Sequence, residues 1–459
     1  MQSTNAMIYF VLVLLFINLN VSVAIRSVTY NGIGTFTWNF YDPVYRPSAF
    51  LMLPQNPDKI DPSFHLFTRN NTEQYDVLDY KEQDSITHSH FNSSLPTKVV
   101  IHGFRDGEQI GYRWMKKMSD RMLERENVNV ILVDWYAGSF GMYGQAMVNT
   151  QIVGAMLGNL ISMLANSFGA NNFHLIGDCL GVYVAGIATI FLGGKSSLVN
   201  RITSLDGSGP IYTLPGYNLL SNQPFIDAIH SDPSFFTYQQ TCGTIDFWPL
   251  LQRTTMNNVR ARDMYIDSLK KDIPQPKTFE CENESSFKQG KCTDCGSNGE
   301  KCALLGPNAI DYKKFVDEIS DENQKRKRFF MITNSVEPYL SKYQYIIKIK
   351  NNNLNWLSIF SIDSIKFYDS NGKVDHLILN TWMGLSNIPC VLSIMPNNLK
   401  KIKLIQNPHR YWMNLGKRID VCVIDLTYPN MGMEGPSNVI KFCLSNDDGD
   451  MQTVVLNRC

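Results

Sequence analysis

Short apolar runs and longer helical spacings take turns along the first two thirds of the chain. Lys98-Val99-Val100-Ile101-His102-Gly103-Phe104 reads as a buried strand ending in a glycine turn, and Val128-Asn129-Val130-Ile131-Leu132-Val133-Asp134-Trp135 as a second. Over residues 145–168, Val153, Met156, Leu157, Leu160 and Leu164 recur at helical spacing. Asn172-Phe173-His174-Leu175-Ile176 is strand-like, and the apolar residues from Val182 to Phe191 predict a buried helix. Arg201-Ile202-Thr203-Ser204-Leu205-Asp206 and Phe225-Ile226-Asp227-Ala228-Ile229-His230 predict two further strands. Strands separated by helices over residues 97–320 imply a mostly parallel sheet covered on both faces.

After Lys325-Arg326-Lys327-Arg328 the pattern changes. Tyr343 to Lys350, Ile362 to Tyr368 and Ile419 to Ile424 read as half-buried strands, and Asp369-Ser370-Asn371-Gly372 supplies turn chemistry. No helical spacing intervenes, so residues from about 340 onward read as a separate β-sandwich. The boundary, residues 334–342, is polar and contains Pro338. The charge run at 325–328 reads as a solvated face beside that hinge, with contact to a sulfated glycan or cleavage by a protease as the alternatives.

Composition adds the compartment. The 459 residues are 44% hydrophobic and 18% charged with zero formal net charge. That balance suits a globular protein with a large core and gives no general reason to bind nucleic acid. The apolar run from Ile8 to Ile17 is too short to span a membrane. Followed by Ser22-Val23-Ala24, it reads as a secretory signal peptide over residues 1–24, with an uncleaved anchor as the alternative because the preceding residues carry no charge. No later segment reads as a second anchor. Ten cysteines and the N-x-S/T triplets at Asn70, Asn92 and Asn283 agree with an oxidising, extracellular compartment. Cys281, Cys292, Cys295 and Cys302 cluster in a polar stretch without nearby histidine, which favours two local disulfides over half a zinc site.

The candidate chemistry lies between the third of these strands and its helix. Gly177-Asp178-Cys179-Leu180-Gly181 has a glycine on each side of a central residue at a strand-to-helix turn, the G-x-S-x-G geometry of α/β-hydrolases, with cysteine in place of serine. Cys179 reads either as a nucleophile or as a small apolar filler; a bridge to Cys242 is a further alternative. The helix N-terminus at Leu180 favours a thiolate, and Asp178 opposes it. His102 and His230 end strands and read as packed, hydrogen-bonded histidines.

Further segments, taken in order, resemble the animal pancreatic lipase family over nearly the whole chain. Ile101-His102-Gly103-Phe104 resembles the segment that serves the oxyanion hole, and Val133-Asp134-Trp135 the V-D-W strand end. Gly177 to Gly181 falls at G-H-S-L-G, and Ser204-Leu205-Asp206-Gly207-Ser208-Gly209-Pro210 at G-L-D-P-A-x-P. Asp246-Phe247-Trp248-Pro249 resembles D-F-x-P, Asn257-Asn258-Val259-Arg260 resembles N-H-x-R, and Tyr265-Ile266-Asp267-Ser268 resembles Y-x-D-S.

The resemblance implies an α/β-hydrolase domain over 25–337 and a PLAT-like β-sandwich over 338–459. It places Cys179 at the nucleophile, Asp206 at the triad acid and Asn258 at the lost base, with the Phe104 and Leu180 amides as oxyanion hole. It pairs Cys281 with Cys292, Cys295 with Cys302, and Cys443 with Cys459. Cys390 and Cys422 are paired because both lie in the sandwich without another partner. Eight residues between Pro249 and Asn258 are too few for the family's disulfide-closed lid, and Leu219-Leu220-Ser221-Asn222-Gln223 lacks the carboxylates of a calcium site. No metal or other cofactor is therefore expected.

Loss of nucleophile and base together leaves the acid nothing to orient. Where a triad acts as a unit, removing its second member costs little beyond the first. The expectation is a secreted lipase homologue without turnover that binds or carries lipid or another hydrophobic ligand, as fly yolk proteins are non-catalytic members of this family. The alternatives are a carboxylic ester hydrolase (triacylglycerol lipase or phospholipase A1) using Cys179, and an interaction module contacting a protein or a lipid surface.

Overall fold

The computed structural model describes residues 27–458 apart from 107–110, 218–222, 232–239, 252–259, 272–276, 289, 293, 322–324, 335–336, 341–342, 352–361, 379–386, 393–397, 407–418, 426–438 and 445–452. The signal-peptide segment, Asn258, the shortened lid connection after Leu251, most of the 219–223 segment and Cys459 lie outside the described residues.

A hairpin of β1 (Ser27–Tyr30) and β2 (Gly34–Thr37) precedes the main sheet. That sheet contains β3 (Ser63–Phe67), β4 (Asp76–Leu78), β5 (Thr97–Ile101), β6 (Asn129–Asp134), β7 (Phe173–Asp178) and β8 (Val199–Leu205). It continues with β9 (Phe225–Ile229), β10 (Ile245–Leu251), β11 (Lys277–Glu280), β12 (Cys302–Leu304) and β13 (Lys327–Thr333). Their order is β12-β11-β13-β10-β9-β8-β7-β5-β6-β3-β4. Neighbours from β6 through β5, β7, β8, β9 and β10 to β13 are parallel. Antiparallel strands close both edges. The mostly parallel sheet predicted from the apolar runs is thus the observed one.

Alternation along the strands explains why those runs are apolar throughout. Val99 and Ile101 of β5 pack with the long helix Tyr143–Phe168 and the helix Gly181–Leu192, whereas Val100 packs with the helices Gly111–Arg125 and Arg260–Leu269 on the other face. The long helix has the length and apolarity of a membrane span, contrary to the expectation that nothing after the N-terminal run does. Most of it is buried within the protein, so its apolarity serves the core. It crosses the helix Gly181–Leu192 closely: a Cβ on Gly154 would stand 2.7 Å from the Ile187 Cβ, and one on Gly158 2.9 Å from the Phe191 Cβ.

The chain then forms β14 (Tyr343–Asn351), β15 (Ile362–Asp369), β16 (Val374–Ile378), β17 (Asn387–Leu392), β18 (Leu399–Gln406), β19 (Ile419–Asp425), β20 (Val439–Leu444) and β21 (Thr453–Arg458). All pair antiparallel in the order β16-β15-β18-β21-β20-β19-β14-β17, and a short β20–β21 ladder joins two four-stranded halves. Tyr345, Ile347, Ile365, Phe367, Ile402 and Leu404 are buried. Gln344 ties this unit to the first sheet: its Oε1 accepts from the Ile332 amide at 3.0 Å and its Nε2 donates to the Lys277 carbonyl at 3.2 Å.

Cys281–Cys292 and Cys295–Cys302 are disulfides. β17 and β19 flank β14, with Cys390 opposite Tyr345 and Cys422 opposite Lys348. Their backbones are two strand spacings apart, about 9–10 Å, beyond the reach of a disulfide. This register corrects the pairing expected between them. Asn70, Asn92 and Asn283 are exposed. Arg326 and Arg328 of the charge run are exposed, as a solvated face requires, although Lys327 and Arg328 also begin the inner strand β13. Lys327 Nζ lies 2.9 Å from Glu280 Oε1, Arg328 Nε donates to Thr241 Oγ1 at 2.7 Å, and the Arg326 guanidinium sits 3.9 Å over the Tyr212 ring.

Candidate active site

β7 ends at Asp178 and its helix begins at Gly181, so Cys179 and Leu180 make the turn. Cys179 has φ +50°, the left-handed region that a non-glycine residue enters at a cost. The surrounding glycines are required by contact. A Cβ on Gly177 would lie 2.5 Å from the Gly181 carbonyl, and one on Gly181 only 2.3 Å from the Ile101 carbonyl oxygen. A Cβ on Gly103 would stand 2.7 Å from the Cys179 Cβ. The chain therefore presses the Cys179 side chain against the loop that follows β5.

Around the sulfur the retained parts converge. The backbone amides of Phe104 and Leu180 face Cys179 Sγ and favour its thiolate. Ser208 Oγ lies 3.2 Å from Cys179 Sγ, and the Tyr143 hydroxyl bonds to Ser208. The Tyr143 ring meets Phe104 edge-on at 5.1 Å. Burial, then the Asp178 charge, outweigh these donors and push the thiol up to about 11. At neutral pH the group is a thiol, and a thiol is a poor nucleophile.

Asp178, where the family pattern has histidine, is pushed up to about 8, first by burial. Arg262 opposes this shift, while Asp106 and Asp206 add to it. Arg262 is committed elsewhere: its Nη1 binds Asp106 Oδ2 at 2.6 Å and stands 4.0 Å from Asp178 Oδ2. Asp206, with φ +44°, accepts the Ser231 amide on Oδ1 and the Ser231 hydroxyl on Oδ2, both at 2.6 Å. Asp206 is thus held by its own neighbourhood.

No described imidazole touches the sulfur. His102 accepts the Trp135 amide on Nε2 at 3.0 Å and donates from Nδ1 to the Gly103 carbonyl at 3.0 Å. His230 binds Asp246 Oδ1 at 2.6 Å and stacks on Trp248. Both are packed and hydrogen-bonded, as read from their strand-end positions. Cys179 and Cys242 are both free thiols, which removes the bridge considered between them.

The fold gathers three groups that the motif pattern did not bring together. Ser208, from the loop after β8, reaches the sulfur and is bonded by Tyr143, the first residue of the long helix, and Arg262 joins Asp106 to Asp178. Beneath them Cys242 lies beside His230 and Asp246. Serine in place of alanine at position 208 was the visible signal for the first. The charge neighbours of Asp178 had none, because they come from elements 72 and 84 residues away.

A parallel sheet, a strand–elbow–helix turn and two amides facing the elbow side chain define an α/β-hydrolase. The family model described as Lipase matches residues 28–252 and 250–339, and the chain belongs to the animal pancreatic lipase family. It is 35% identical to rat (Rattus norvegicus) pancreatic lipase-related protein 2, over 76% of this chain and 79% of that one. Mouse (Mus musculus) pancreatic triacylglycerol lipase is 32% identical over 63% and 69% of the two chains. Human (Homo sapiens) inactive pancreatic lipase-related protein 1 is 30% identical over 71% and 74%. The carboxylesterase EstE1, from a metagenomic library, aligns over 25% of this chain and 39% of its own at 16% identity with a TM-score of 0.20, which adds nothing to the topology above.

Proposed function

We propose that this protein is a secreted, non-catalytic lipase homologue that binds lipid or another hydrophobic ligand at the mouth of the former active site. The observation that carries the loss of catalysis is the elbow thiol: its pKa is raised to about 11, and the retained acid Asp206 is engaged by Ser231. Asparagine at position 258 has no basic nitrogen to replace the lost imidazole. The relatives bear names of both kinds, active and inactive, so family membership leaves the question to the site.

Apolar exposure next to the elbow supports the ligand. Phe140 and Met142 immediately precede Tyr143 and are 57% and 69% exposed. The loop carrying exposed Phe50 and Leu51 packs on Gly144 through Ser48 and Met52. Large exposed side chains gathered at one mouth mark a binding surface. The C-terminal antiparallel unit, proposed to be PLAT-like, and the two disulfides fit a protein that meets lipid outside the cell.

A second reading, an ester hydrolase using Cys179, is favoured by the two amides still aimed at the sulfur. Hydrolysis of triacylglycerol, phospholipid and short-chain esters by purified protein separates the two. The expected result is no turnover dependent on Cys179, no loss in Cys179→Ala, and stoichiometric fatty acid, sterol or phospholipid on solvent extraction. Turnover abolished by Cys179→Ala would overturn the non-catalytic reading. A lipid-free protein that ignores both a fluorescent fatty acid and liposomes would leave only a protein-interaction role.

A further inference from the structure

A second cluster of reactive side chains lies under the sheet's C-terminal edge, apart from the elbow. His230 follows β9, Asp246 lies in β10, and Cys242 sits in the turn that leads into β10. Ligand atoms of the three lie within 4.8 Å of one another, and all three residues are buried. His230 Nε2 is 2.6 Å from Asp246 Oδ1 and 3.9 Å from Cys242 Sγ. One nitrogen therefore faces both the carboxylate and the sulfur, and the single proton on it can serve only one of them. The buried Ser204 hydroxyl faces the same sulfur and makes no sound hydrogen bond among the described residues.

We propose that His230, Cys242 and Asp246 form a structural site for a zinc-type divalent cation, with the fourth position toward Ser204. Thiolate, imidazole and carboxylate together suit zinc and exclude a calcium site, which takes oxygen alone. In a tetrahedral zinc site the sulfur–nitrogen separation is about 3.6 Å and the nitrogen–oxygen separation about 3.3 Å. The observed 3.9 Å and 2.6 Å reach those values through movements of less than about 1 Å. The surroundings are already organised. Stacking on Trp248 fixes the imidazole plane, and the amides of Cys242 and Gly243 donate to the Asp246 carboxylate at 2.8 Å and 3.1 Å. Access exists as well, since a cavity bounded by Tyr212, Tyr217, Ile226, Thr244 and Arg326 reaches Cys242.

Loading balances simply. The thiol loses its proton to solvent, the imidazole proton moves to Nδ1, and the dication offsets one thiolate and one carboxylate. The bound ion would clamp the turn before β10 to the end of β9. This role is independent of the lipid-binding reading.

The test uses purified full-length protein stripped with a chelator, then titrated with cobalt(II) and zinc. The expected result is a near-ultraviolet thiolate-to-cobalt charge-transfer band that saturates at one equivalent, is displaced by zinc and survives in Cys179→Ala. Zinc should also raise Tm by several degrees. Cys242→Ala, a small apolar replacement at a buried position, should lose the band and weaken zinc binding by at least about tenfold. Failure to bind cobalt stoichiometrically, or a band that follows Cys179, would overturn the assignment. Should Cys242→Ala fail to fold, X-ray absorption of the zinc-loaded wild type decides: one sulfur among nitrogen and oxygen neighbours is expected, and a shell with no sulfur or several refutes it.

Discussion

Position 179 shows how neighbours, rather than residue type, set the chemistry of a side chain. Two backbone amides and Ser208 favour the thiolate, yet burial and Asp178 prevail, and the thiol stays protonated at neutral pH. Alkylation of Cys179 by iodoacetamide, followed by peptide mass, should accelerate about tenfold per pH unit until it approaches 11, because only the thiolate reacts. Asp178→Asn removes the adjacent charge and should increase the rate at pH 8. A rate already level below pH 9 would contradict this account of the site. Asp206 teaches the same lesson from the other side: its carboxylate persists, but both oxygens serve Ser231.

At the level of elements, the elbow is held by backbone contact with the neighbouring strand. Gly181 abuts the Ile101 carbonyl of β5, so an added methyl group has no room unless the helix or the strand moves. Gly181→Ala should cost more than about 4 kcal/mol in chemical denaturation, the range reached only by severe overpacking. Gly169, which ends the long helix at φ +78° with open space around it, offers the comparison. There alanine meets only backbone strain, and Gly169→Ala should cost about 1–2 kcal/mol. Similar losses at the two positions would show that the elbow tolerates a wider turn than the contacts indicate.

Across the whole molecule, two buried titratable groups pull stability in opposite directions with pH. His174 is held well below 6.5 by burial, with Arg201 and Lys98 adding to the effect. The unfolded chain takes up that proton below pH 6.5 and the native protein does not, so this contribution falls as pH drops. Asp178 behaves oppositely. Its native pKa of about 8 exceeds the ordinary 3.8, so its contribution is complete below 3.8 and is lost as pH rises toward 8. Each slope is limited to about 1.4 kcal/mol per pH unit. The stability difference between Asp178→Asn and wild type should therefore grow in favour of the variant from about pH 4 to pH 8, then level off. A difference independent of pH in urea denaturation would show that Asp178 is ionised in the native protein.

Much of this was legible without coordinates. The run from Phe173 to Ile176, the spaced glycines at 177 and 181, and the apolar helix that follows announce a strand, an elbow and a buried helix, because each signal is local. The parallel sheet follows from their repetition, and the four cysteines clustered in a polar stretch without histidine announce two local bridges. Other features were decided only when distant strands came together. Asp206 and Ser231 become partners because β8 and β9 run parallel side by side. Asp178 is raised first by its burial in the folded protein, and Asp106, Asp206 and Asp263, brought near it from other segments, add to the effect. Cys390 and Cys422 are separated by β14 although both lie in the C-terminal sheet. His230, Cys242 and Asp246 meet across two strands and a turn, although nothing in their spacing marks a ligand set. Local periodicity reports which way a side chain faces, but strand order determines which other side chains it will meet there.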